Sequence, residues 1–315
     1  RDMNFILVSM FVLPYIQYTM NLTVPQFSAV SAVMILARVW DAVNDPMMGI
    51  LIENVRLKGG KFRPWILLGG VLNFLVTLIM FRVRPQGWAF VLFFGIVYIA
   101  WGMTYTVNDI SYHSLLPNLA DSNEDRNELA NLLQVFASIG QFLAGGLIPV
   151  LVTGNAIYMY KLIGLAVSFI FLLFTLLTYF GVTENPARQQ RSSKLTLKKM
   201  FRIITGNDQL LIAAATLLMY TVGSELFVSF SMNYYYFHFG YGGNQLMTFT
   251  VAFAAGTMAA LLVFSLLSKK LPRRRILSIA VTASTGGSLM FFLSGTLFPL
   301  YEMVLYISAF FQFLG

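Results

Sequence analysis

Cysteine is absent from the 315 residues and histidine occurs only twice. The first absence excludes a disulfide framework, cysteine-ligated zinc and thiol chemistry. Charge is also scarce. Asp, Glu, Lys and Arg make up 11% of the chain, whereas 57% is hydrophobic and the mean hydropathy is +0.72. Soluble domains carry about 25% charged residues, and a soluble chain this apolar would lack a polar coat and aggregate. Acids are the scarcer sign, 13 against 21 Lys and Arg, for a net charge of +8. No nucleophile–base set and no metal-ligand cluster stands out, so nothing supports an enzyme. No signal-peptide pattern precedes the first apolar run. The chain starts at Arg1 and ends at Gly315 within an unfinished apolar run, which reads as a fragment open at both ends.

What the chain does have is long apolar runs. A membrane-spanning helix needs about 20 mostly apolar residues. Nine segments qualify, at about 3–23, 27–53, 63–82, 87–115, 128–152, 157–182, 209–234, 245–268 and 276–296, and a tenth begins near Phe298. The fold class expected is an all-α membrane protein.

The basic residues set the orientation. Sixteen fall in alternate loops: Arg56 to Arg63, Arg126, Arg188 to Arg202, and Lys269 to Arg275. The opposite loops hold three, Arg82, Arg84 and Lys161. Basic loops stay in the cytoplasm. The placement therefore predicts a cytoplasmic N-terminus and a lipid bilayer, not nucleic acid, as the partner of the positive charge. Residues 182–208 form the one long polar stretch and follow the sixth span. This divides the chain into a six-helix half at 1–181, a basic cytoplasmic linker at 182–208 and an incomplete second half at 209–315. Six spans, a basic linker and further spans is the layout of the major facilitator class.

Ionisable groups inside the spans are the functional candidates, because each costs at least about 2.5–3.5 kcal/mol at mid-bilayer. The second span reads SAVMILARVWDAVNDPMMGIL. Asp41 and Asp45 are four residues apart and share a helix face, with Asn44 beside them. Two adjacent carboxylates repel unless a proton or cation sits between them, and Na⁺ favours oxygen ligands of this kind. Pro46 would free backbone carbonyls nearby. The competing reading is a structural charge pair with Arg38, three residues earlier. One Arg cannot neutralise two Asp.

In the fourth span, YIAWGMTYTVNDISYHSLLP, Asp109 is the only acid, with Thr106 three residues before it. Trp101, Tyr105, Tyr112 and His113 lie near it in sequence. Aromatic faces beside a carboxylate suit a sugar, whose C–H surfaces stack and whose hydroxyls donate. Interfacial or packing aromatics would look the same. His113 would sense pH, relay protons, or serve as a packing residue or hydrogen-bond donor. Glu225 in the seventh span, beside Ser224 and near Tyr220, is the second half's candidate for a polar cavity. Gln134, with Asn131 and Ser138, forms a polar stripe on the fifth span. Gly69 and Gly70 in the third span, and Gly140, Gly145 and Gly146 in the fifth, suit close helix packing.

The segments ARVWDAVNDPMMG (37–49), GGKFRPWIL (59–67), WGMTYTVNDISYHSLLP (101–117) and GNDQL (206–210) resemble the glycoside–pentoside–hexuronide:cation symporters of the major facilitator superfamily. The resemblance covers the whole chain, about nine and a half helices of a twelve-helix bundle. It implies a cation site at Asp41, Asn44, Asp45 and Thr106, and a sugar site at Asp2 and Asp109. The family pattern has Trp where this chain has His113 and Arg where it has Gln134, both at the sugar site. Losing a bidentate Arg there would alter sugar specificity. A family lysine on the eleventh helix has no counterpart in these residues.

The expectation is a secondary active transporter that couples Na⁺, H⁺ or Li⁺ to a sugar by alternating access and needs no further cofactor. Na⁺ or H⁺ would sit at Asp41 and Asp45. Asp2, Asp109, Tyr105, His113, Gln134 and Glu225 would line the sugar site. The rivals are a carrier of a drug or lipid with the same fold, and a membrane sensor that no longer transports. The sequence leaves open which sugar, which cation and which oligomeric state.

Overall fold

The computed structural model describes residues 1–120, 122–152, 154–184, 196–239, 248–249, 251–252, 255–260, 263, 271–296, 307 and 310. Among them, helices account for nearly all of the chain and there is no strand. The helices are α1 (Asp2–Thr19), α2 (Val24–Asn54), α3 (Arg63–Arg82), α4 (Trp88–Leu119), α5 (Asn123–Leu151), α6 (Ala156–Gly181), α7 (Leu197–Thr205), α8 (Asp208–Phe239) and α9 (Arg273–Thr296). Among the described residues, six helical stretches are long and apolar enough to cross a membrane, in α2 to α6 and in α9. The expected span at 245–268 is represented by helical residues between 248 and 263, and the run after Phe298 lies largely outside the described residues.

Local chemistry sets the boundaries. Pro25 sits in the first turn of α2, where its missing N–H is no loss, and the Thr23 N–H donates to Gln26 Oε1 at 3.0 Å. α2 runs unbroken through Pro46. Pro46 has no N–H to donate, so the Ala42 carbonyl, which lies between Asp41 and Asp45 in sequence, loses its usual helical partner. Between α2 and α3 the chain turns tightly at Gly59 and Gly60, with φ of +103° and +143°, values that side-chain-bearing residues rarely adopt.

The linker is not wholly irregular, as its polarity suggested. Residues 197–205 form α7. The Thr196 side chain accepts from the Lys199 N–H at 3.3 Å, and apolar residues recur at helical spacing within a basic run.

The chain divides into two compact units. One comprises Arg1, Met3–Leu133 and Asn155–Leu217; the other comprises Asp2, Gln134–Gly154 and Leu218–Gly315. Inside the first, α3 packs on α4 and α6, and α2 packs on α4. A Cβ on Gly69 would lie 2.6 Å from the Asn108 nitrogen of α4, and one on Gly70 would lie 2.5 Å from Thr175 Cγ2 of α6. Only glycine permits helices this close.

A buried polar network ties α1, α3 and α4 together. Asn4 Nδ2 donates to Asn73 Oδ1, and Asn73 Nδ2 donates to the Trp101 carbonyl at 3.2 Å and to Thr104 Oγ1 at 3.0 Å. Toward the other end of α3, the rings of Tyr15, Phe81 and Tyr160 close the packing of α1, α3 and α6, with Tyr15 5.1 Å from Phe81 and 5.0 Å from Tyr160. At the α2–α3 turn the Glu184 carboxylate accepts from the Lys61, Phe62 and Arg63 N–H groups at 2.7, 2.9 and 2.7 Å. These are donors at the start of α3 that the helix itself leaves unpaired.

In the second unit, Phe227 of α8 meets Phe291 of α9 edge to face at 5.3 Å. A Cβ on Gly256 would lie 2.5 Å from the Phe310 carbonyl oxygen.

Candidate substrate and cation site

α2 brings Asp41 and Asp45 to one face, and α4 brings Trp101, Tyr105, Thr106 and Asp109 to the surface opposite. These residues, with Phe5, Arg38, Gly102 and Ile110, line a cavity of about 150 Å³. Phe5 of α1 covers the aromatic side of it. Its ring lies 5.3 Å from Tyr105 and 6.2 Å from Trp101, and Trp101 stacks on Tyr105 at 5.6 Å. The stack continues along α4 from Trp101 through Tyr98 at 5.9 Å to Phe94 at 5.1 Å.

The two aspartates have different partners. Thr106 Oγ1 donates to Asp45 Oδ1 at 2.9 Å across the α2–α4 seam. Arg38 Nη1 lies 3.5 Å from Asp41 Oδ2, the ion pair expected of residues three apart. That pair is real, but it engages only Asp41. Asp45 has no ion pair among the described residues. Gly102 supplies the room for Asp41, since a Cβ there would stand 3.0 Å from Asp41 Oδ1. Both carboxylates therefore face one cavity, along with a hydroxyl and a third carboxylate.

Asn44 sits differently from its neighbours. It is 2% exposed, does not line the cavity, and its Nδ2 has no hydrogen-bond partner among the described residues.

Asp109 is held by a residue the sequence reading did not place there. Arg1 Nη1 lies 3.0 Å from Asp109 Oδ1 and donates to His113 Nε2 at 3.2 Å. The Arg1 guanidinium also lies 5.0 Å from the centre of the Tyr112 ring. A guanidinium has no acceptor, so in this contact the acceptor role falls to His113 Nε2, which also lies 3.7 Å from Asp109 Oδ1. Arg38 lines the cavity, and Arg1 is a second cation beside it, paired with Asp109.

The remaining candidates are not gathered at this cavity. Asp2 lies in the first turn of α1, and Gln134 is exposed on α5; both belong to the second compact unit. Glu225 falls within α8, and its side chain lies outside the described residues. Trp101 and Gly102 line the cavity without having been assigned to the site. Arg1 was missed as well. Its only signal was a basic residue at the mouth of the first span, which reads as a flanking charge.

A family model described as MFS/sugar transport protein matches residues 3–314. The chain belongs to that family. The family consists of multi-pass membrane carriers, not enzymes. A raffinose carrier protein of Pediococcus pentosaceus is 25% identical over 288 residues, 85% of this chain and 44% of its own length. Lactose permeases are similar too. That of Lactobacillus helveticus is 28% identical over 62% of this chain and 34% of its own length, and that of Leuconostoc lactis is 24% identical over 84% and 44%. These are glycoside–pentoside–hexuronide symporters, the group that the motifs at 37–49 and 101–117 resemble. The chain thus spans less than half the length of these family members.

Proposed function

We propose that the full-length carrier moves a sugar across a bacterial inner membrane together with a cation, by alternating access, with its N-terminus in the cytoplasm. The observation that supports this best is the convergence of Asp41, Asp45, Thr106 and Asp109 on one cavity walled by Trp101, Tyr105 and Phe5. In this reading, Na⁺ or H⁺ is taken by Asp41 and Asp45, with Thr106 orienting Asp45 and Asn44 supporting the site from behind. The sugar lies against Tyr105 and is bound through Asp109, which keeps the two solutes in adjacent places on the α2–α4 seam. Asp2, His113, Gln134 and Glu225 are further sugar-site candidates to test in the full-length carrier.

Neutralising the paired carboxylates lowers their repulsion and lets α2 and α4 close on the sugar. By linkage, the sugar must tighten cation binding by the same factor, and coupling energies of about 1–3 kcal/mol are typical. No further cofactor is needed.

The test is uptake of a panel of labelled glycosides, pentoses and hexuronides into vesicles bearing the full-length protein, with Na⁺ present or absent and the pH varied. Accumulation of a sugar only when a cation gradient is imposed supports the reading. Facilitated equilibration that ignores Na⁺, Li⁺ and pH removes the coupling. Absence of uptake for the whole panel removes the sugar.

A further inference from the structure

α7 has the sequence LKKMFRIIT and is strongly two-sided. At about 100° per residue, Leu197, Met200 and Ile204 fall within an arc of about 60°, while Lys198, Arg202 and Lys199 share the opposite side. The basic side is exposed. On the apolar side Met200 and Ile204 are half-buried, but Leu197 is 48% exposed and Ile203, at its edge, is 50% exposed. In water this is an unfavourable arrangement for a nine-residue helix.

The helix is placed where water is not its only neighbour. Two residues, Gly206 and Asn207, separate it from α8, which carries the seventh apolar run. The axis of α7 is bent 96° from that of Asp208–Gly223. If α8 crosses the bilayer, α7 lies along the surface of that bilayer, at the depth where headgroups meet acyl chains. It also touches α2, whose end at Asn54 adjoins the 57–60 turn.

We propose that α7 is an interfacial anchor that binds anionic phospholipid. Leu197 and Ile203 enter the acyl boundary, while Lys198, Lys199 and Arg202 meet the negative headgroups. Charge complementarity selects the lipid. Lys and Arg next to an anionic leaflet each strengthen attachment by roughly five-fold, an effect that salt screens. The anchor fixes the entry of α8 relative to the membrane plane. The inference depends on the chain being a membrane carrier and not on which solute it moves, so it stands apart from the proposed function.

The experiment uses the full-length carrier in phosphatidylcholine vesicles with and without phosphatidylglycerol. This chain has no cysteine, so after removal of any found elsewhere in the full-length protein, Leu197→Cys and Ile203→Cys each give one site for an environment-sensitive fluorophore. Quenching by lipids that carry a doxyl group high on the acyl chain is expected at both positions when phosphatidylglycerol is present. It should fall about two-fold or more without that lipid, in high salt, or in a Lys198→Gln/Lys199→Gln/Arg202→Gln variant. Lys198→Arg/Lys199→Arg should retain it, which separates loss of charge from misfolding. Equal quenching in both lipids, or none in either, overturns the proposal. So does quenching that appears only when a soluble protein is added.

Discussion

Thr106 on α4 donates its hydroxyl to Asp45 on α2 at 2.9 Å, joining two helices through the carboxylate that has no ion-pair partner among the described residues. Asp41, one turn earlier, is instead engaged by Arg38 at 3.5 Å. The two acids of the pair are thus unequal. One is oriented by a neutral donor that a cation can share, and the other by a competing positive charge.

The inequality predicts distinct variants. Asp41→Cys and Asp45→Cys should each abolish accumulation of sugar against its gradient. Thr106→Ala leaves both charges and removes one hydrogen bond to a charged group, worth about 1.5–3 kcal/mol. It should raise the cation concentration for half-maximal uptake by roughly ten-fold or more while sparing the maximal rate. Cation titrations of vesicle uptake measure all three. Full cation-driven accumulation by both Asp variants would remove the coupling assignment.

Asp109 and Tyr105 line the same cavity as Asp41 and Asp45, and under the proposed function they hold the sugar. Asp109→Asn should weaken sugar binding by about ten-fold or more, through loss of a charged acceptor, and Tyr105→Ala should do the same through loss of stacking surface. Cation binding to the sugar-free protein should change little. Calorimetry of cation and of sugar binding on the purified full-length carrier separates the two. A variant that loses cation affinity to the same extent as sugar affinity would place these residues in the cation site instead.

Asn73 on α3 serves Asn4, Thr104 and the Trp101 carbonyl from a position of no solvent exposure. Asn73→Leu would leave buried partners unpaired, at about 1–3 kcal/mol. A fall in the apparent Tm of the detergent-solubilised protein is expected. Asn73→Asp, which keeps the acceptor and adds a buried charge, should be worse.

Glu184 receives three backbone N–H groups at the start of α3. Glu184→Gln keeps the shape, weakens charge-assisted bonds and loses the favourable interaction with the helix N-terminus, worth about 0.3–1 kcal/mol where exposed. Glu184→Ala leaves the donors to water and should cost more. Proteolysis of the turn at 57–60 in membranes should quicken in the order wild type, Gln, Ala.

Much of this was legible in the sequence because a bilayer leaves the chain few choices. Backbone groups in hydrocarbon must be satisfied within a helix, so apolar runs alone marked α2 to α6. The four-residue spacing of Asp41 and Asp45 put them on one face before any coordinates. The helix α7 was hidden by the same rule, since a polar stretch was read as linker where amphipathic spacing held a surface helix. Contacts between helices were not determined locally. Arg1 is 112 residues from His113, Thr106 is 61 from Asp45, and Asn73 is 69 from Asn4. Thr106 was assigned to the cation site only through the family resemblance, and Asn73 and Arg1 carried no distinguishing pattern. Which polar groups meet depends on how far α1, α2, α3 and α4 approach and turn. That is set by close contacts such as Gly69 against Asn108, and packing of this kind is a property of surfaces fitted together, which periodicity along one helix does not encode.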